Sequence, residues 1–204
     1  MERHAFLERL RRQLGAAQGR PLPAVPRPQV RRSRLDEAQR VSLFTERLEA
    51  LGVIVAETAS LDAARQAVER LRAARGWAHI ACAPSLRWPG VGARWVDEAK
   101  AAPFGLCAAA AGVAATGTVV LRHGGEARRG HSLLPPTTGF FVYRSALVDC
   151  LGDVLRALDA ETTALPPCIT FVSGPSNTAD IAGVRCVGVH GPGEVFVWVI
   201  ASRE

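Results

Sequence analysis

Three short segments combine hydroxyls or an imidazole with glycine, the composition of a loop that can receive a small anion on backbone amides and side-chain donors. Residues 173–181 read Ser173-Gly174-Pro175-Ser176-Asn177-Thr178-Ala179-Asp180-Ile181. Gly174 can take backbone angles closed to larger residues, and Pro175 fixes one torsion. Ser176 or Thr178 could cap a short helix whose first amides would hold a phosphate or carboxylate, although a plain helix-entry turn uses the same residue types. Residues 112–118 form a second bend with two hydroxyls, Thr116 and Thr118, around Gly117. The spacing fits neither the ATP-type phosphate loop nor the dinucleotide fingerprint, so the alternatives are a structural bend and a ligand cradle. The third bend, residues 189–194, sets His190 and Glu194 about Gly191-Pro192-Gly193. His190 could exchange a proton near neutral pH or donate to an anion, and Glu194 could orient it if the loop folds them together.

These residues are the candidate site: His190 and Glu194 for proton transfer, with Thr116, Gly117, Thr118, Gly174, Ser176 and Thr178 for substrate binding. Other chemistry has less to build on. His123 and His131 flank a charged loop, Gly124 to Gly130, in which ordinary solvation is the expected role of Arg128 and Arg129 and contact with an anionic substrate the alternative. No HExxH, Cys/His series or dense carboxylate cluster completes a metal shell, so no metal is expected. Nor is there a GxSxG elbow to activate Ser173 or Ser176. His4 and His79 have no companion motif, and Trp77, Trp88, Trp95 and Trp198 read as packing residues.

The elements that must position these bends follow from hydrophobic periodicity. Residues 6–14 repeat Phe6, Leu7, Leu10 and Leu14 at helical spacing, after which Pro21, Pro23, Pro26 and Pro28 favour an extended tether. The expected organisation is therefore a helical arm and linker over 1–34 and a domain over 35–204. Within that domain a helix is expected over 35–48, a strand over 53–56, a helix from Leu61 to Ala73 after Ser60, and a strand over 77–82. A helix between two apolar strands has the length of a crossover, which predicts an α/β domain with a parallel or mixed sheet. Further strands are expected near 105–110, 118–121, 140–143, 168–172 and 195–200, with a helix over 147–158.

Composition narrows the class. The 204 residues are 48% hydrophobic and 22% charged, sufficient for a sizeable core. The net charge of +6 is concentrated in residues 1–50, which carry 11 arginines against 6 acids, beside no recognition element or stacking series. Nucleic acid is therefore not the expected partner. The longest uncharged run, residues 101–121, is broken by Pro103, Gly105, Gly112 and Gly117 and reads as buried elements instead of a membrane span. The charged amino-terminal sequence has no secretory pattern, and five scattered cysteines without a CxxC pair fit a reducing cytoplasm.

Taken in order, residues 112–118, Ser132-Leu133-Leu134-Pro135-Pro136, residues 173–181 and Gly188-Val189-His190-Gly191-Pro192 resemble the lactate utilization protein C family. The resemblance implies a LUD domain with a three-layer α/β fold of the NagB/RpiA/CoA-transferase-like kind, and an accessory or substrate-handling part in oxidising L-lactate to pyruvate with iron–sulfur partner proteins. Iron–sulfur clusters would reside in those partners, since no cofactor is expected on this chain. Two departures matter. The family commonly has an acidic residue where Ala115 precedes Thr116-Gly117-Thr118, and arginine where Asn177 stands. Alternatives to the family role are a stand-alone enzyme for a small anionic, sugar-phosphate or acyl-CoA substrate, and a non-catalytic assembly protein, with homo-oligomers compatible with either.

Overall fold

The computed structural model describes residues 3–14, 34–161, 164–178 and 186–202. The chain divides into two units, Met1–Arg32 and Ser33–Glu204. In the first, α1 (Arg3–Leu14) ends on Arg11 and Arg12, placed to meet its unpaired carbonyls. The expected proline-rich linker and residues 179–181 of the first bend lie outside the described residues.

In the second unit, α2 (Glu37–Ala50) starts at a capping box. The Asp36 side chain accepts from the Gln39 amide while Gln39 accepts from the Asp36 amide. Its buried stripe is Val41, Phe44 and Leu48. Strand β1 (Ile54–Ser60) runs directly into α3 (Leu61–Arg75), with Ser60 accepting from the Ala63 amide and Gly76 closing the helix in the left-handed region. There follow β2 (His79–Ala81), β3 (Arg94–Val96), β4 (Phe104–Ala108), β5 (Ala111–Val113) and β6 (Thr118–His123). The one-turn helix α4 (Gly130–Leu133) leads to β7 (Thr137–Tyr143), and β8 (Leu147–Val148) to α5 (Leu151–Asp159). Strands β9 (Cys168–Val172), β10 (Asn177–Thr178), β11 (Cys186–Val187) and β12 (Glu194–Ser202) complete the described chain.

Six strands in the order β1-β12-β7-β4-β2-β3 form one sheet in which every pairing is parallel. Such a sheet needs cover on both faces, and β12 displays this residue by residue. Val195, Val197 and Val199 enter one core cluster with Val41, Phe44 and Leu48 of α2 and with Val119 and Leu121 of β6. Phe196, Trp198 and Ile200 enter the opposite cluster with Ala64 and Val68 of α3. The order of layers is α3, the parallel sheet, then α2 beside a second sheet of order β8-β5-β6-β9. The outer face of that second sheet packs Val113 and Val120 on Val154 of α5.

Two expectations are corrected. Residues 147–158 do not form one helix, because Leu147 and Val148 pair with Gly112 and Val113. Asp149 is also held away from any helix, accepting from Leu35 N and Arg40 Nε at the start of α2. Asn177 and Thr178 do not open a helix either; they pair antiparallel with Val187 and Cys186, so their amides serve a ribbon.

Candidate functional site

The three glycine-bearing bends meet in pairs near the amino ends of the parallel strands. Antiparallel pairing of β6 with β9 brings Thr118 beside Ser173. Thr116 Oγ1 and Thr118 Oγ1 share a hydrogen bond at 2.6 Å, and Thr118 Oγ1 and Ser173 Oγ share another at 2.8 Å. Gly117 has φ +59° and lies against the backbone of Arg47 and Leu48, so the bend sits on the last turn of α2, which feeds β1. Gly174, at φ +84°, packs on Leu51 in the same region. Ser176 reaches the third bend: its amide donates to the Pro192 carbonyl at 2.8 Å, and its Oγ accepts from the His190 amide at 3.3 Å.

The His190 side chain is exposed, whereas the Glu194 carboxylate faces elsewhere. Glu194 pairs with Arg75 at 2.7 Å and accepts from Thr137 Oγ1 at 3.3 Å, at the first residue of β12. Thr118 is therefore joined to Thr116 and Ser176 to the His190 loop, while Glu194 is committed to the end of α3. Thr178 lies in the β10–β11 ribbon. Ser173, the residue that links two of the bends, was not among the predicted site residues; its signal is the β6–β9 pairing, which no local motif announces.

The opposite end of the sheet is built differently. The last residues of β4 (Leu106, Cys107, Ala108), the last of β6 (Leu121, Arg122, His123) and the turn after β2 surround a cavity of about 120 Å³. His131, Ala127 and Arg128 close it. A ligand site at the carboxyl ends of parallel strands is the position that open α/β sheets favour. Gly105 explains how His131 arrives there: the His131 carbonyl packs so tightly on β4 that a Cβ at residue 105 would overlap it. The intervening loop is closed by reciprocal Gly124–Ala127 backbone hydrogen bonds and clasped by Glu126, which accepts from the Ser85 amide at 3.3 Å.

Both imidazoles are buried, His123 at 6% and His131 at 3% exposure. His123 Nε2 is 2.9 Å from Thr170 Oγ1, and His131 Nε2 is 3.4 Å from the Asp97 carbonyl, to which it can only donate. Burial pushes both pKa values below the ordinary histidine value, so the rings are neutral at pH 7. Burial pushes the Cys107 thiol up to about 12, which removes thiolate chemistry from the cavity at neutral pH. Of the two arginines, Arg122 is engaged by Glu161. Arg128 is exposed and has no ion pair among the described residues. Sequence reasoning reads Arg128 first as a solvated loop residue, with an anion contact as the alternative, and gives His123 and His131 no site role; the available signal is that His123 lies two residues beyond the apolar run 118–121.

A larger groove of about 700 Å³ runs along α2 and is lined by Glu37, Glu46, Glu49, Glu57 and Arg144, a surface hostile to anions. Among the described residues no group of three or more His, Cys, Asp or Glu side chains is placed to hold a metal ion, and no helix is long and apolar enough to cross a membrane.

The LUD domain model matches residues 77–200, which contain the cavity and all three bends. The chain belongs to the LUD domain family. It is 40% identical over 115 residues to lactate utilization protein C of Halalkalibacterium halodurans, an alignment covering 55% of this chain and 50% of that protein. It is 42% identical over 100 residues to lactate utilization protein C 1 of Bacillus mycoides, covering 48% and 43%. It is also 35% identical over 115 residues to the uncharacterized protein YkgG of Escherichia coli, again covering 55% and 50%. The chain spans about half the length of these curated relatives. A crystal structure of a DUF162 family protein from Deinococcus radiodurans superposes with a TM-score of 0.66 at 21% identity, over 82% of this chain and 100% of that one. The α/β fold of this LUD domain, with its parallel sheet, is thus shared with a solved structure.

Proposed function

We propose that this LUD domain chain is an accessory or substrate-handling component of lactate utilisation, working in the cytoplasm with iron–sulfur proteins that oxidise L-lactate to pyruvate. The observation that carries the reading is the 40% identity over 115 residues to a lactate utilization protein C. The architecture, read as NagB/RpiA/CoA-transferase-like, supplies bends and a cavity suited to a small anion. Its own residues provide hydrogen bonds, a guanidinium and neutral imidazoles. The oxidation itself needs an electron acceptor, which this reading places on partner subunits.

Deletion of the gene, with complementation by the intact chain, tests the role. The expected result is loss of growth on L-lactate with growth on glucose retained, together with co-purification of proteins showing iron–sulfur absorption. Normal growth of the deletion strain on lactate, or isolation of the chain without such partners from lactate-grown cells, would refute it. Turnover of an anionic substrate by the purified chain alone would favour the stand-alone enzyme.

A further inference from the structure

We propose that the cavity at the carboxyl ends of β2, β4 and β6 is the binding site for a small carboxylate, with Arg128 as the group that pairs with the carboxylate and Leu86, Leu106 and Leu121 as the wall against its carbon chain. This assignment rests on the substrate-handling reading above and gives that reading a place.

Four observations support it. First, the cavity lining contains two arginines and two histidines and no carboxylate. Asp97 and Glu126 line an adjoining depression that Arg128 and His131 also border, and each of the two acids has a partner of its own: Asp97 pairs with Arg87, and Glu126 accepts from the Ser85 amide. Second, Arg122 is neutralised by Glu161, so Arg128 is the lining cation left to meet an anion. A guanidinium can receive both oxygens of a carboxylate in parallel hydrogen bonds. Third, the leucine wall is built into the core, with Leu106 and Leu121 almost wholly buried. It would hold methyl or methylene groups and offers nothing to the remaining oxygens of a phosphate. Fourth, the volume of about 120 Å³ suits an acid of a few carbons and not a nucleotide or coenzyme. His131 donates through Nε2 to the Asp97 carbonyl, which fixes the neutral tautomer and leaves Nδ1 as an acceptor.

Titration calorimetry of the intact chain with L-lactate, pyruvate and inorganic phosphate at constant ionic strength tests the assignment. The carboxylates are expected to bind and phosphate to bind more weakly. Arg128→Gln, a change on an exposed loop, should weaken carboxylate binding by at least about tenfold, the usual weight of a hydrogen bond to a charged group. Ala108→Leu, which fills the cavity from the end of β4, should abolish it. Arg70→Gln makes the same charge change at an exposed position of α3 and should leave it unaltered. Carboxylate binding that survives both Arg128→Gln and Ala108→Leu overturns the site, as does binding lost in His190→Ala but kept in Arg128→Gln. Failure of the wild-type chain to bind either acid also overturns it, while the growth of the deletion strain on lactate judges the functional reading independently.

Discussion

The two ends of the parallel sheet present opposite solutions to the handling of polar groups. Near the amino ends, the polar atoms largely satisfy one another. Thr116, Thr118 and Ser173 form one chain, Ser176 is held by the His190 loop, and Glu194 is held by Arg75 and Thr137. These bends also seat the turn of α2 and the starts of β7 and β12. At the carboxyl ends, the fold instead encloses two imidazoles, neutral at pH 7, in a cavity with an apolar wall, and the exposed Arg128 that lines it has no ion pair among the described residues. Glycine and hydroxyl motifs thus mark where the chain must turn tightly. The carboxyl-end cavity is marked instead by titratable side chains that separate elements bring to one place.

The largest effect should come from Gly105→Ala. The added methyl must push His131 and α4 off β4. The expected cost is about 1–3 kcal/mol, typical of overpacking, measured by urea unfolding. The same displacement should move the ring of His131, read in its imidazole NMR signals. An alanine accepted with no change in either quantity would mean that close packing on β4 does not position the carboxyl-end site. Next in size is Thr118→Val, which keeps the shape of a nearly buried side chain while breaking both hydroxyl contacts of the amino-end chain. A loss of about 0.5–1.5 kcal/mol is expected from the same measurement. A neutral result would show that Thr116 and Ser173 are satisfied equally well by water, and that the amino end is less self-contained than its geometry indicates.

Much of the framework was legible because it rests on local rules. Ser60 before Leu61 opens α3, and the apolar run of β12 reads as a strand. Strand β3 was not legible, since Arg94, Trp95 and Val96 alternate no more than a loop does, and their pairing with β2 is settled by the tertiary context. The β10–β11 ribbon escaped for a related reason: Ser-Asn-Thr is a helix-capping composition, and only the pairing with Cys186 and Val187 decides against a helix. The cavity was least legible. A Gly-Gly turn followed by Glu126, Arg128 and Arg129 has the composition of a solvated loop. The burial of His123 and His131 comes from β4, β6 and α4 meeting across a long stretch of sequence.

A smaller effect is expected from pH. His123 lies near Arg129 and His131, and His131 lies near Arg128, Arg87 and Asp97. Burial, the largest influence on both, lowers their folded pKa values below 6.5. As pH falls through that value, the unfolded chain therefore takes up protons before the folded one. Stability from this source is complete above about pH 6.5 and is lost toward the folded pKa values. Thermal unfolding at about pH 7.5 and about pH 5.5 should show the decline, and His123→Gln should flatten it. A wild-type chain equally stable at both values would show that the carboxyl-end imidazoles accept protons without cost, and their enclosure would lose its electrostatic meaning.

The smallest effect should follow Glu194→Gln at the amino end. Arg75 and Glu194 are both partly exposed, at 46% and 31%. Their attraction is screened by water and salt, and an exposed pair contributes about 0–1 kcal/mol. The amide of glutamine can still accept from Thr137 Oγ1, so the start of β12 keeps its link to β7. Unfolding in low salt should register the difference, and added salt should erase it by screening the wild-type pair. A loss well above about 1 kcal/mol that persists in high salt would be too large for this pair. It would mean that the carboxylate at the amino end is doing more than anchoring α3, and would return Glu194 to the centre of the search for chemistry on this domain.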